Sequence, residues 1–271
     1  MRYLGFTHDG ADVIAVVDGD TATVLTTVDD FYADPARSRA AAPDGPAVPL
    51  AEAQATAVPP VPRTAKILCL GLNYQLHVEE TGRERPPAPN VFARWYASLS
   101  CHEARITVPS GEPGLDWECE LAVIIGDHLV DTPAASAMAG VLGYTCFNDL
   151  SGRKHQRATS QWALGKNPDG SGPIGPVVVT ADEYGDPYGR AIMTRVNGET
   201  MQSSTTDRML FKIDETIEYI TRATSLRPGD VIATGTPEGV GSMMDPPQLL
   251  TAGDGVEVEI ADIGVLRTHV D

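Results

Sequence analysis

Asp116, Glu118 and Glu120 alternate with other residues over the first half of Asp116-Trp117-Glu118-Cys119-Glu120-Leu121-Ala122-Val123-Ile124-Ile125. A strand turns alternate side chains to one face, so the three carboxylates share a face and Trp117, Cys119 and Leu121 share the other. Carboxylates at i and i+2 lie about 7 Å apart at the backbone, and repulsion and desolvation oppose burying them together without a cation. A divalent cation resolves that conflict; an exposed acidic strand face is the competing reading. A second apolar run, Gly143-Tyr144-Thr145-Cys146-Phe147-Asn148-Asp149, ends in a carboxylate. Asp149 would complete an all-oxygen donor set with Glu118 and Glu120, the chemistry of Mg²⁺ or Mn²⁺ rather than Zn²⁺. Asn-Asp after a strand is also an ordinary turn opener.

His77 and Glu80 follow Gly71-Leu72-Asn73-Tyr74. On a helical turn their side chains are neighbours, so the carboxylate can orient and polarise the imidazole and the pair can activate water. A surface contact is the plainer alternative. Lys166 sits among turn residues in Gly165-Lys166-Asn167-Pro168-Asp169, and Thr234-Gly235-Thr236-Pro237-Glu238-Gly239-Val240-Gly241 is a glycine-rich loop after a strand. Backbone amides in such a loop can hold a carboxylate, or the loop is a plain connection. The sequence has no Gly-x-Ser-x-Gly elbow, no His-Glu-x-x-His helix and no Walker loop, and Gly239-Val240-Gly241 lacks the third glycine of a dinucleotide fingerprint.

The elements that must carry these residues are mostly strands. Buried strands are read at 66–70, 115–125 and 140–147, followed by strands at 230–234, 255–260 and 265–270. Met209, Leu210, Ile213, Ile217 and Ile220 recur at helical spacing, which predicts a helix over Thr206 to Thr224. The N-terminus reads as strands at 2–7, 12–17 and 21–27, with a hairpin turn at Asp18-Gly19-Asp20. Ala and Pro dominate 34–62, where fixed φ and missing donors oppose helix and sheet, so a linker is expected. The predicted organisation is a strand-dominated α+β protein. A small N-terminal β subdomain and Pro/Ala-rich linker span 1–62, and the catalytic domain spans 63–271.

The chain has 271 residues, and 37 acidic against 20 basic residues give a net charge of −17. That charge repels polyphosphate and anionic lipid over most of the surface, so neither nucleic acid nor membrane is an expected partner. Cys69, Cys101, Cys119 and Cys146 lack zinc-ligand spacing and are read as reduced and buried. With no apolar run near 18 residues and no basic-then-apolar leader, a cytoplasmic protein is expected.

Taken in order, seven segments resemble the fumarylacetoacetate hydrolase family over roughly residues 64 to 270. They are Gly71-Leu72-Asn73-Tyr74 with His77 and Glu80, Asp116 to Leu121, Asn148-Asp149 with Arg153 and Gln156, and Gly165-Lys166. Val196-Asn197-Gly198-Glu199 with Gln202, Leu226 to Ile232, and Thr234 to Gly241 complete the series. The resemblance implies a mixed β-sandwich roll, a homodimer, and Mg²⁺, Mn²⁺ or Ca²⁺ held by Glu118, Glu120 and Asp149. It casts His77 and Glu80 as the water-activating dyad on a loop that orders over substrate, residues 78 to 95 forming the lid. It places Lys166 beside the metal and Arg153, Gln156 and Thr236 on the carboxylate or keto oxygens of a small-molecule substrate.

Three residues depart from the family pattern. Lys154 stands where many relatives have Asp, Arg94 where Lys is frequent, and Pro168 where an aromatic residue is common. A missing carboxylate beside Arg153 would leave its guanidinium for a substrate anion. The expected activity is metal-dependent hydrolysis of a carbon-carbon bond in an acylpyruvate or related 1,3-diketo acid. Decarboxylation of a 2-oxo acid, isomerisation or hydration of a dienoic oxo acid, and a catalytically silent metal-binding protein are the alternatives.

Overall fold

Runs of branched and aromatic residues at 119–125, 141–148 and 172–180 are short and almost continuously apolar, which suits strands covered on both faces. In the computed structural model, which describes residues 1–271, they form the centre of a mixed sheet of eleven strands. Every residue of Cys119–Ile125 and Val141–Asn148 is buried. From one edge the order is Ala47–Pro49, Thr21–Thr27, Ala11–Asp18, Arg2–His8, Gly172–Thr180, Val141–Asn148, Cys119–Ile125, Val231–Ala233, Ile67–Gly71 and Asn90–Arg94, with Leu99–Ser100 pairing beside Gly172–Thr180.

Five further strands, Glu199–Thr205, Ala191–Val196, Gly255–Ile260, Gly264–Val270 and Ala104–Ile106, form a second sheet. Gly255–Ile260 alternates half-buried and buried residues, the pattern of a strand with one face on a core. Val258, Ile260 and Leu266 pack with Cys119, Leu121 and Val123 of the large sheet. Ala122 and Ile124 point the other way, into a core shared with Phe147, Tyr3 and Phe31. Glu118 and Glu120 have the parity of this second set, so they leave the sandwich core and face the opposite side.

The N-terminal strands continue the large sheet, because Arg2 and Tyr3 pair with Val179 and Val178. Residues 34–55, read from sequence as linker, carry the helices Pro35–Ala40 and Leu50–Ala55 and the strand Ala47–Pro49. Alanine favours helix, and Pro35 sits in the first turn where its missing N–H removes no internal bond. Asp34 Oδ1 caps that helix by accepting from Arg37 N at 3.0 Å.

The helix expected over Thr206 to Thr224 is shorter, Ile213–Thr221, with a 3₁₀ turn at Thr206–Arg208. Its apolar face is as expected, with Ile213, Ile217 and Ile220 in the sandwich core. The start moves because Asn73 takes the preceding amides: Leu210 N donates to Asn73 O and Phe211 N to Asn73 Oδ1, both at 2.8 Å. All four cysteines are buried and unpaired. No helix is long and apolar enough to cross a membrane.

Candidate active site

Strand register assembles the three carboxylates. Phe147 pairs with Glu120 and Asn148 with Cys119 across adjacent antiparallel strands, which brings the next residue, Asp149, opposite Glu118. Asp149 N donates to Glu118 O at 2.9 Å, and Asn148 Oδ1 accepts from Glu118 N at 3.1 Å. The result is a cluster of Glu118, Glu120 and Asp149, all buried, with one ligand oxygen from each lying within 4.8 Å of the others.

Three cations flank the cluster. Arg94 Nη1 donates to Asp149 Oδ1, and Lys166 Nζ donates to Glu118 Oε2 and Asp149 Oδ2. Arg153 pairs with Asp116 Oδ2 and Glu118 Oε1, both at 2.7 Å. Burial by itself would push the Glu118 carboxyl up, but the charges of Lys166, Arg153 and His77 prevail and hold it down at about 2. Glu120 is different: no cation touches it, and its amide partner is Gly235 N at 2.8 Å. Burial, with Asp149 and Glu118 beside it, pushes its carboxyl well above the ordinary range. Lys166 is discouraged from charging by burial, yet Asp149 and Glu118 raise it, so the ammonium persists.

Such a buried ionic cluster is a poor way to stabilise a core, since apolar residues of like volume are often as good or better. Its donor chemistry fits a hard divalent cation: three carboxylates, oxygen atoms alone, and one member left without a countercharge. Mg²⁺ or Mn²⁺ would be held by Glu118, Glu120 and Asp149.

Beside the cluster opens a cleft of about 770 Å³, onto which His77, Glu118, Arg153, Gln156, Lys166 and Thr236 face. His77 lies on the helix Gln75–Glu80, and its Nδ1 is 2.6 Å from Glu80 Oε1. The second Glu80 oxygen accepts from Gly239 N at 2.9 Å. The glycine-rich loop does bind carboxylates through its amides, but they are the protein's own. Gly235 holds Glu120, Gly239 holds Glu80, and Gly241 N donates to Asp116 Oδ1 at 2.7 Å. Gly235 has φ +89°, and a Cβ there would stand 2.8 Å from Asn73 Cβ, so glycine alone lets the loop approach.

The family pattern described as fumarylacetoacetate (FAA) hydrolase, C-terminal, matches residues 66–271. The chain belongs to the fumarylacetoacetate hydrolase family. It is 41% identical over 234 residues to a mitochondrial oxaloacetate tautomerase of Bos taurus, covering 86% of this chain and 74% of that one. Among solved structures, fumarylacetoacetate hydrolase from Exiguobacterium antarcticum superposes with a TM-score of 0.85 at 31% identity, covering 100% of this chain and 99% of that one. Fumarylpyruvate hydrolase from Pseudomonas aeruginosa, in complex with Mn²⁺ and pyruvate, gives 0.69 at 31% identity, with 76% of this chain and 88% of that chain covered. The strand-dominated α+β sandwich is thus the family fold, and the protein is a family enzyme built around a metal site.

Within this family frame, one reading from sequence changes. The Arg153 guanidinium is not left free by Lys154. Asp116 and Glu118 both pair with it, Gln156 Oε1 accepts from its Nη1 at 2.9 Å, and Lys154 Nζ turns outward to Gly111 O at 2.9 Å. Asp116 shares the parity of Glu118 and Glu120 but stands outside the carboxylate cluster, its oxygens engaged by Arg153, Gly241 and Ser242.

Other residues that shape the site carried weaker signals. Gln202 accepts from Cys119 N at 3.1 Å and donates to Thr236 Oγ1 at 2.9 Å, tying the acidic strand to the loop. Glu112 accepts from Lys154 N at 3.0 Å and His155 N at 2.7 Å, holding the start of the helix Arg153–Arg157. The backbone carbonyl of Pro168 accepts from Ser171 Oγ at 2.7 Å, and that hydroxyl accepts from Arg94, a contact any residue there would make; nothing in the structure explains proline at this position.

Proposed function

We propose that the protein moves a proton at the carbon beside the keto group of a 2-oxo acid, interconverting its keto and enol forms. The observation that carries this reading is the His77–Glu80 pair set on the same cleft as the three-carboxylate cluster. The oxaloacetate tautomerases among its relatives support it. A divalent cation bound by Glu118, Glu120 and Asp149 would supply Lewis acidity toward the oxygens of the oxo acid.

The residues of the chain do the rest. Glu80 engages Nδ1 of His77 and leaves Nε2 for substrate, so the imidazole takes the proton from carbon as keto becomes enol, the enol oxygen gaining its proton from water, and delivers a proton to carbon in the reverse direction. The negative Glu80 stabilises the imidazolium while the proton is held. Lys166 places a positive charge where negative charge grows on the substrate oxygens. Gln156 and Thr236 offer hydrogen bonds from the cleft wall.

A second reading is hydrolysis of the carbon-carbon bond of an acylpyruvate, with His77 deprotonating water instead of carbon. The likeness to fumarylpyruvate hydrolase supports it. One assay separates the readings. Purified protein is given enol oxaloacetate or an acylpyruvate with Mg²⁺, Mn²⁺ or EDTA, and enol absorbance and pyruvate are followed together. The tautomerase reading expects metal-dependent loss of oxaloacetate enol with no pyruvate formed. Pyruvate plus acid from the acylpyruvate would install the hydrolase reading, pyruvate from oxaloacetate would install decarboxylation, and inertness with Mn²⁺ bound would leave a silent metal-binding protein.

A further inference from the structure

The cations at the inner end of the cleft are already matched to carboxylates of the protein: Arg94 to Asp149, Lys166 to Glu118 and Asp149, Arg153 to Asp116 and Glu118. Two other guanidiniums face the same cleft, those of Arg83 and Arg157, and neither has a carboxylate within 4.0 Å. Arg83 follows the dyad helix and lies over the Trp162 ring, 5.7 Å from its centroid. Arg157 closes the helix that carries Arg153 and Gln156, and donates to Ser242 Oγ at 3.1 Å.

Most arginines of this chain of net charge −17 meet a carboxylate; Arg37, Arg39, Arg85 and Arg227 are also unmatched, but of the unmatched arginines Arg83 and Arg157 are the two that line the cleft. Arg2 meets Glu183, Arg190 meets Asp262, and Arg267 meets Glu103 and Glu257. Two unmatched cations at the mouth of a substrate cleft form a local positive field against the overall acidity. A guanidinium resting on an aromatic face keeps its N–H edge free for a two-point contact with a carboxylate. A ring stack and a hydroxyl leave most of the ten guanidinium N–H groups of the pair without a strong acceptor, since each Arg has five.

We infer that Arg83 and Arg157 receive a second carboxylate, at the end of the substrate remote from the Glu118, Glu120 and Asp149 cluster. They make the cleft selective for doubly charged oxo acids over singly charged ones of equal length. This rests on the reading above that the substrate is a 2-oxo acid. The metal cluster handles the oxo-acid end, which every candidate substrate shares; the two arginines read the end by which candidates differ. Because both are exposed, the discrimination weakens as salt rises.

The test compares 2-oxoglutarate with 2-oxopentanoate, which have five carbons each and differ by a terminal carboxylate against a methyl. Calorimetry on the Mn²⁺-loaded protein gives both affinities, for the wild type and for Arg83→Gln, Arg157→Gln and the double variant, each checked by circular dichroism. The expected result is about tenfold or greater preference for 2-oxoglutarate in the wild type, the scale of one good charge-assisted contact. That preference should shrink in each single variant and vanish in the double variant, through loss of 2-oxoglutarate affinity. Equal binding of the two acids by the wild type, or an undiminished preference in the double variant, overturns the inference and leaves the 2-oxo acid reading standing. Failure of both acids to bind the Mn²⁺-loaded wild type overturns that reading and the inference together.

Discussion

Glu80 and Gly239, 159 positions apart, are joined by a 2.9 Å hydrogen bond from the glycine amide to Oε2 of the carboxylate, whose other oxygen engages His77. One side chain thus sets the orientation of the base and ties the dyad helix to the loop at the cleft rim. Glu80→Gln keeps an acceptor for Gly239 but removes the negative charge facing the imidazole. Turnover should fall by about 10²-fold, and by about 10²- to 10⁴-fold in His77→Ala. Mn²⁺ affinity should stay within about twofold, since neither residue belongs to the carboxylate cluster. Steady-state kinetics beside Mn²⁺ titration calorimetry checks both halves; a parallel loss of Mn²⁺ binding would falsify the division between dyad and cluster.

Asp149 and Glu120 should respond in opposite ways to neutralisation. Asp149→Asn leaves Arg94 and Lys166 short of a buried countercharge, so the metal-free protein should lose about 3–5 kcal/mol in urea unfolding. Glu120 touches no cation and sits beside two like charges. Glu120→Gln keeps an acceptor for Gly235 and removes the repulsion, so the metal-free protein should be at least as stable as wild type. Both variants should lose Mn²⁺ binding. A Glu120→Gln protein that binds Mn²⁺ as wild type does would remove Glu120 from the ligand set.

The grouping of the carboxylates was legible because a period of two on an apolar strand makes a strong statement: Glu118 and Glu120 must share a face. Asp149 followed from the end of the next apolar run, and antiparallel register supplied what spacing cannot, its position opposite Glu118. Asp116 shows the limit. It has the same parity and shares Arg153 with Glu118, but its oxygens are taken up by Arg153 and the amides of Gly241 and Ser242, contacts that spacing does not encode. Residues 34–55 misled for another reason: their Ala and Pro content opposes sheet, yet alanine and a first-turn proline are good material for short helices once capped. The roles of Gln202 and Glu112 depend on contacts 83 and 43 positions away, which no local pattern encodes.

Gly235→Ala should weaken fold and site together. A methyl group there meets Asn73 Cβ at 2.8 Å and Leu70 O at 3.0 Å, with φ at +89°. Retreat of the loop withdraws the amide from Glu120 and the backbone from Asn73. The expected cost is about 1–3 kcal/mol of stability, with a measurable fall in Mn²⁺ affinity. Urea unfolding and Mn²⁺ calorimetry on the same preparation test this. Unchanged Mn²⁺ binding in a destabilised protein would show that the amide holds the loop without tuning Glu120.

Acid should loosen the five-stranded sheet through its charged face. Glu103 is held below the ordinary glutamate value near 4.5 chiefly by His269, with Arg267 adding to it, and Glu257 chiefly by Arg267, with Arg195 adding to it. A carboxylate with a lower pKa folded than unfolded binds protons more readily once unfolded. Its contribution is therefore complete above the unfolded value and drains away as pH falls through the folded one. The melting temperature in EDTA should drop between about pH 5 and pH 3. Glu257→Gln removes one such contribution, so it should melt below wild type at pH 6 and converge with it toward pH 3. High salt should narrow the gap at pH 6, because the pairs are solvent-exposed in part. Parallel melting curves across that pH range would assign the acid sensitivity to other carboxylates.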